Sequence, residues 1–218
     1  MDAEVVAAMA RWPNVPSVYG WLSLTAAGQW RLHPDGNAIR EPDSVGEPIT
    51  SPQIIAFIDR NYDTDGEGRW FFQNGPQRVF VRLDAAPFIV HVMTDAATGE
   101  LKLRTHTGLD VRAVSAWHLD EEGRLFAATE RGAALISGRD VPILFDRFAT
   151  PDSAHPATDD ERSTDTNELL TQCMESGTTV HIITHSVSGV PIQPLPLKPG
   201  STDTIARELG FIRLPSDQ

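Results

Sequence analysis

The sequence predicts an α+β protein of duplicated, hairpin-rich antiparallel sheets with short helices. Three observations carry this. Alternating apolar and polar runs bounded by Gly, Asn and Asp fill the middle of the chain, and short segments of helical periodicity flank them. A strand–turn pattern also recurs four times, at Gly28-Gln-Trp30, Gly68-Arg-Trp70, Gly99-Glu-Leu101 and Gly123-Arg-Leu125. Glycine supplies the positive φ of a tight turn, and the residues after it alternate outward and inward. A β-propeller would keep a constant period of roughly 40–50 residues. Here the intervals shorten along the chain and a helix interrupts them, which favours a duplicated hairpin-based domain.

In chain order, residues 2–11 read as a short helix through Val5, Val6 and Met9, stopped by Pro13. VYGWLSLTAAGQWRL reads as a hairpin, and the Pro-, Gly- and Asp-rich stretch 33–49 as loop. Ser51 offers a cap and Pro52 the first helical position for a helix through Ile54, Ile55 and Ile58. DTDGEGRWFFQNGPQRVFVRL then gives a turn, an aromatic strand, an Asn-Gly turn and a strand with Val79, Val81 and Leu83 on one face. FIVHVM and ELKLRT form another hairpin, and AVSAWHLDEEGRLFAATERGAALI two or three more strands. Asp165 and Glu168 resemble a capping box ahead of the stripe Leu169, Leu170, Cys173 and Met174, which ends at Gly177. VHIITH reads as a strand, PIQPLPLKPG as an extended connector and TDTIARELG as a last helix. The expected organisation is an N-terminal α+β half (1–84), a β-rich second half (85–149), a polar linker (150–164) and a C-terminal α/β segment (165–218).

The charge of the 218-residue chain is −12, and no block of basic residues interrupts it. Counterion release needs clustered Lys and Arg, so duplex DNA or RNA is not an expected partner, whereas a small nucleotide in a local basic pocket is compatible. No apolar window reaches the 18 or so residues of a membrane span. The N-terminal segment carries two acids ahead of a short apolar run, unlike a secretory signal. The single cysteine, Cys173, forbids an intramolecular disulfide. Together these make the cytoplasm the expected compartment.

Motifs for chemistry are few. His181 and His185 lie on a predicted strand, where four residues separate side chains by about 13 Å, too far for one metal. Asp63, Asp65 and Gly66 resemble the start of a calcium loop, but the twelfth position is Asn74 and not Glu. Cys173 sits on an apolar stripe, where a thiol packs without reacting. No nucleophile elbow, phosphate loop or dinucleotide fingerprint is present. Pro191, Pro194, Pro196 and Pro199 suit a connector as well as a polyproline ligand. No catalytic residue, metal or cofactor is therefore expected.

One constellation stands out. Arg78, Lys102, Arg104, His106 and Arg112 are basic residues in strands of an acidic protein, and Trp70, Phe72, Gln73 and Asn74 lie near Arg78 in sequence. Arginine forks bind phosphate or carboxylate, and aromatic rings stack on bases or sugars. The ordinary alternative is that these cations balance neighbouring acids on a solvated face. The candidate ligand-binding residues are Trp70, Phe72, Asn74, Arg78, Arg104 and His106.

The order of GRWFFQNGPQRVFVRLDAAPFIVHV and LKLRTHTGLDV, with its Ala-Pro-Phe strand entry and Leu-Arg-Thr before a turn, resembles an uncharacterised bacterial family catalogued as a domain of unknown function. The resemblance covers about residues 17–112, and residues 150–218 have no counterpart in it. It implies a duplicated α+β core whose second half is loosely like a pleckstrin-homology barrel. The roles it implies are ligand binding between the halves and signal transduction, and it supplies no catalytic residues.

Three function classes follow, in this order: a sensory module binding a small anionic or nucleotide-like ligand; a protein-interaction or assembly component, compatible with a homo-oligomer; and a metal-dependent hydrolase, which would need carboxylates converging on His106 or on His181 and His185.

Overall fold

The computed structural model describes residues 1–151 and 159–216. The chain divides into two compact units, Met1–Pro87 with Gly210–Gln218, and Phe88–Leu209. The architecture is mixed α+β, with one sheet of six strands and one of eight. No helix of the described residues is long and apolar enough to cross a membrane.

The first unit contains α1 (Ala3–Arg11), β1 (Val18–Leu24), β2 (Trp30–Leu32), β3 (Glu47–Pro48), α2 (Pro52–Arg60), β4 (Tyr62–Thr64), β5 (Trp70–Asn74) and β6 (Gln77–Leu83). Its sheet runs β3-β2-β1-β6-β5-β4, with β1 and β6 parallel at the centre. The alternation in β6 explains that position. Val79, Val81 and Leu83 fill one face together with Leu22, Leu24 and Trp30, whereas Arg78, Phe80 and Arg82 point to the other. Helix α2 covers the first face: Phe57 meets Phe72 edge-on at 5.5 Å, and the Trp30 indole donates to Asp59 at 2.8 Å. The expected Ser51 cap does not form. Its hydroxyl donates to Gln53, two residues on, and accepts from no helical N–H.

The second face is closed at one end by the loop after β2. Buried Arg82 gives Nη1 to the carbonyls of Ala38, Glu41 and Ser44 and holds Asp84 at 3.0 Å. Close approach here requires glycine at position 20. Its φ is +81°, and a Cβ would lie 2.4 Å from the Gly36 carbonyl oxygen.

The second unit contains β7 (Phe88–Thr94), β8 (Leu101–Thr105), β9 (Val114–Asp120), β10 (Leu125–Thr129), β11 (Gly132–Ile136), α3 (Val141–Phe145), β12 (Phe148–Ala149), α4 (Asp159–Ser176), β13 (Val180–Thr184), β14 (Leu195–Gly200) and α5 (Thr202–Glu208). Its sheet runs β12-β13-β14-β9-β10-β11-β7-β8 and curls into a half-barrel. Beyond β13, Ser186 and Ser188 exchange backbone hydrogen bonds with Leu101 of β8, which brings the two margins of the sheet together. One inward row crosses the sheet as Val180, Leu197, Trp117, Ala127, Ala134 and Phe88. The two alanines leave room for the fully buried Trp117 indole.

The two units repeat one topology. An antiparallel hairpin (β1–β2, then β7–β8) is followed by a three-stranded meander (β4–β5–β6, then β9–β10–β11). The last meander strand lies parallel to the first hairpin strand, β6 on β1 and β11 on β7. The four recurring glycine turns occupy corresponding places: Gly28 and Gly99 in the hairpins, Gly68 and Gly123 in the first turns of the meanders.

Toward the C-terminus the structure departs from expectation. The stretch PIQPLPLKPG contributes β14, a strand inside the larger sheet and not a free connector. Leu195 and Leu197 are buried on the inward face, and that burial outweighs the ladder donors lost at Pro196 and Pro199. Residues beyond 164 thus add β13 and β14 to the same sheet as β7–β11. Of the linker expected over 150–164, residues 152–158 lie outside the described residues, and 159–164 form the start of α4, which begins at Asp159, ahead of the expected Asp165.

Candidate functional site

Arg78 is set by the turn at Gly75-Pro76, one residue later than the expected Asn-Gly turn, with Gly75 at a φ of 57°. A two-residue loop pairs Asn74 with Gln77, so Gln73 faces Arg78 and Phe71 faces Phe80. The Arg78 guanidinium lies 3.9 Å from the Phe71 ring centroid and 6.0 Å from that of Phe80. Tyr19 stacks on Phe80 at 4.6 Å with the rings 8° apart, and Arg69 lies over Phe80 at 5.0 Å. Arg69 is neutralised by Asp65 at 2.7 Å and Glu67 at 3.0 Å. Arg78, half-exposed, makes no hydrogen bond or ion pair among the described residues. Its cross-strand neighbour Gln73 is 1% exposed; the side-chain nitrogen donates to the Gly75 carbonyl, but Oε1 has no partner. An unpaired guanidinium thus stands on an aromatic ring beside an unused buried acceptor. Such a pair can take an anionic group together with an N–H donor.

Of the residues predicted around Arg78, Trp70 and Phe72 lie on the opposite face of β5. Phe72 packs on Phe57, and Trp70 lies 5.0 Å from Tyr62. Asn74 is exposed at the end of β5. Phe71 and Gln73 are the neighbours on the Arg78 face, and the two-residue length of the Gly75-Pro76 loop is the sequence signal that identifies them.

Arg104 and His106 belong to the second unit. Arg104 is paired through Nε with Asp110 at 2.8 Å. His106 follows β8, accepts the Ile89 N–H at 3.2 Å and lies 6.1 Å from Phe88. Burial pushes its imidazole down to about 3, with the nearby His91 charge adding to the effect. Lys102 is paired with Asp95, and Arg112 sits in the loop between β8 and β9. Sequence reasoning missed the residues that complete this region. His91 stands directly across from Arg104, and its Nδ1 lies 3.3 Å from Asp140 and 3.4 Å from Arg139. Arg139 and Asp140 reach His91 from the turn after β11, a contact that no local pattern announces.

Other arrangements offer little chemistry. Ser23, His33 and Ser44 form a chain, with Ser23 Oγ 2.9 Å from His33 Nε2 and His33 Nδ1 3.2 Å from Ser44 Oγ. Ser23 and His33 are fully buried, and burial followed by the Arg82 charge lowers the His33 pKa, so the chain is a sealed structural network. Cys173 is buried with its thiol pKa raised by desolvation. Among the described residues no group of His, Cys, Asp and Glu has the arrangement of a metal site.

A family model described as "Protein of unknown function (DUF2946)" matches residues 1–216 and so takes in the C-terminal third as well. No curated protein matches the chain. Two crystal structures of DUF1285 family proteins are similar. The one from Silicibacter pomeroyi DSS-3 is 20% identical with a TM-score of 0.45, over 64% of this chain and 75% of that one. The one from Shewanella baltica OS155 is 13% identical with a TM-score of 0.39, over 57% of this chain and 89% of that one.

Proposed function

The chain belongs to this family of proteins of unknown function, and on that premise we propose that it is a small-ligand-binding module of sensory type, recognising an anionic, nucleotide-like ligand at Arg78, Phe71 and Gln73. One observation carries the reading: a half-exposed guanidinium without an anion partner lies against an aromatic ring and beside a buried carbonyl without a donor. A phosphate or carboxylate satisfies the fork of Arg78, and an exocyclic amine satisfies Gln73 Oε1. A buried acceptor left open is costly in the free protein, so a ligand that fills it recovers that cost on binding. The reading is of binding and not of catalysis, because among the described residues neither nucleophile nor base accompanies Arg78. The acidic composition and single cysteine support a cytoplasmic setting.

Titration calorimetry with adenosine monophosphate and with inorganic phosphate tests this. The nucleotide is expected to bind more tightly than phosphate. Arg78→Ala is expected to weaken nucleotide binding by about tenfold or more, the loss of a charge-assisted hydrogen bond. Gln73→Met should weaken the nucleotide but not phosphate. Equal binding by wild type and Arg78→Ala overturns the reading and shifts weight to an assembly role, which sedimentation of the same samples would read as an oligomer.

A further inference from the structure

The β7–β8 register places His91 directly across from Arg104, and Met93 across from Lys102, on one face of the hairpin. Opposite residues in an antiparallel pair have Cβ atoms about 5 Å apart, so the imidazole and the Arg104 side chain are neighbours. From the turn after β11, Asp140 accepts the Val92 N–H at 3.3 Å and reaches the His91 ring. Arg139 reaches the same ring nitrogen and lies 3.7 Å from Asp140 through its own Nε. Arg139 and Asp140 therefore meet at the His91 ring, and Arg104 stands across from His91 in the register with its guanidinium held toward Asp110.

Two features point to a ligand. The first is unused donor capacity. Asp110 engages only Nε of Arg104, and both Nη groups make no hydrogen bond among the described residues. The Arg104–Asp110 pair is 46% and 55% exposed, so it contributes little and exchanges readily with another anion. Arg139 is 76% exposed. The second feature is competition at His91 Nδ1. That atom has either a lone pair or a proton, and it faces one partner that needs each. A neutral ring with its proton on Nε2 accepts from Arg139; a proton on Nδ1 instead donates to Asp140 and ends that bond, and the imidazolium, which carries both protons, also repels Arg139. Protonation thus releases the Arg139 fork and adds an outward Nε2–H donor in the same step.

We propose that His91, Arg104 and Arg139 form a proton-linked site for a tetrahedral dianion of the phosphate or sulfate class, in which uptake of one proton by His91 accompanies binding. The site lies in the second unit and shares no residue with Arg78, so it stands or falls separately from the proposed function. The charged groups facing His91 fix the sign. Arg104 and Arg139 favour the anion, and Lys102 on the diagonal position is neutralised by Asp95. Asp140 and Asp110 oppose it. His106 adds no charge, because burial keeps it neutral at any pH where the anion is tested. Acidification therefore strengthens binding.

Calorimetric titration with sodium sulfate tests the proposal, because sulfate remains a dianion from pH 6 to pH 8 and any pH dependence belongs to the protein. Affinity at pH 6 is expected to exceed that at pH 8 by about tenfold, the gain if only a tenth of the molecules present a free Arg139 fork at the higher pH. The binding heat should vary with the ionisation enthalpy of the buffer and show net proton uptake. His91→Gln is expected to abolish both the pH dependence and the proton uptake. Arg104→Ala and Arg139→Ala should weaken sulfate at both pH values, while Arg78→Ala leaves the titration unchanged. Arg104→Gln, which keeps the aliphatic stem, replaces Arg104→Ala should the latter lose its fold by circular dichroism. Equal affinity at pH 6 and pH 8, a wild-type pH profile in His91→Gln, or wild-type binding in both arginine variants would each overturn it.

Discussion

The Asp65 carboxylate holds the Arg69 guanidinium at 2.7 Å across a tight turn, and the same pair recurs in the second unit as Asp120 and Arg124, again at 2.7 Å. In both turns Oδ1 also accepts the N–H groups two and four residues on, from Glu67 and Arg69 or from Glu122 and Arg124. A carboxylate that takes two backbone donors and an arginine fixes the turn without any contribution from the sheet. The two copies differ in what they hold besides. Asp120 Oδ2 accepts from Thr202 Oγ1, Arg124 donates to the same hydroxyl, and Glu121 accepts the Thr202 N–H, so this turn docks the start of α5.

That difference predicts unequal costs. Asp65→Ala leaves Arg69 paired with Glu67 and exposes turn donors to water, for a loss of about 1–3 kcal/mol. Asp120 has no exposed side-chain surface, and its removal strands Thr202 as well as the turn, for a loss of about 3–5 kcal/mol. Urea denaturation of the two variants checks the order. An equal loss would mean that docking of α5 adds nothing to the turn itself.

The buried histidine after β8 gives the protein an acid limit. His106 falls from an ordinary value of 6.5 to about 3, chiefly through burial. Its folded-state pKa is depressed, so between those values the unfolded chain binds the extra proton. The stability from keeping it neutral is complete above the unfolded pKa and is lost as pH falls. The slope is about 1.4 kcal/mol per pH unit for one such group. His33 and His118, also lowered by burial, act in the same direction. Unfolding free energy is expected to decline from about pH 6.5 to pH 4.5, above the range in which carboxylates titrate. His106→Asn should flatten that decline even if it lowers stability at pH 8; an unchanged slope would show that His106 is not the group responsible.

Much of the fold was legible because the signals were local. The Val79, Val81 and Leu83 alternation places β6 by period alone, and Pro52 before three isoleucines places α2. The duplication was visible in the glycine turns, although their spacing hides it: the first unit inserts α2 between its hairpin and its meander, and the second joins them by a short loop. β14 was not legible, since two prolines argue against an inner strand until Leu195 and Leu197 are seen to be buried. α3 was hidden by its five-residue length. At the site, proximity in sequence groups Trp70, Phe72, Gln73 and Asn74 with Arg78, whereas the register sets Gln73 and Phe71 on its face, a distinction of parity that only the loop length carries. Arg139 and Asp140 meet His91 only through tertiary structure, beyond the reach of any sequence pattern.

Arg82 supports the loop after β2 against the sheet and gives the last prediction. Its side chain is 4% exposed, and its guanidinium reaches three carbonyls, the Ser23 hydroxyl and Asp84. The carbonyls belong to a loop with almost no strand of its own, so these bonds, with the Ala38 N–H on the Gly20 carbonyl and the His33–Ser44 contact, decide where it lies. Arg82→Met preserves apolar volume but leaves the loop carbonyls and Asp84 without their donor. The expected loss is about 3–5 kcal/mol, the range for breaking a buried charged network by removing one partner. Amide hydrogen exchange distinguishes a local from a global effect. Faster exchange confined to residues 36–46, with β1 and β6 still protected, is the expected outcome, because the opposite face of the sheet keeps its cover of α2. Uniform acceleration across the first unit would show instead that Arg82 holds the sheet itself and not the loop upon it.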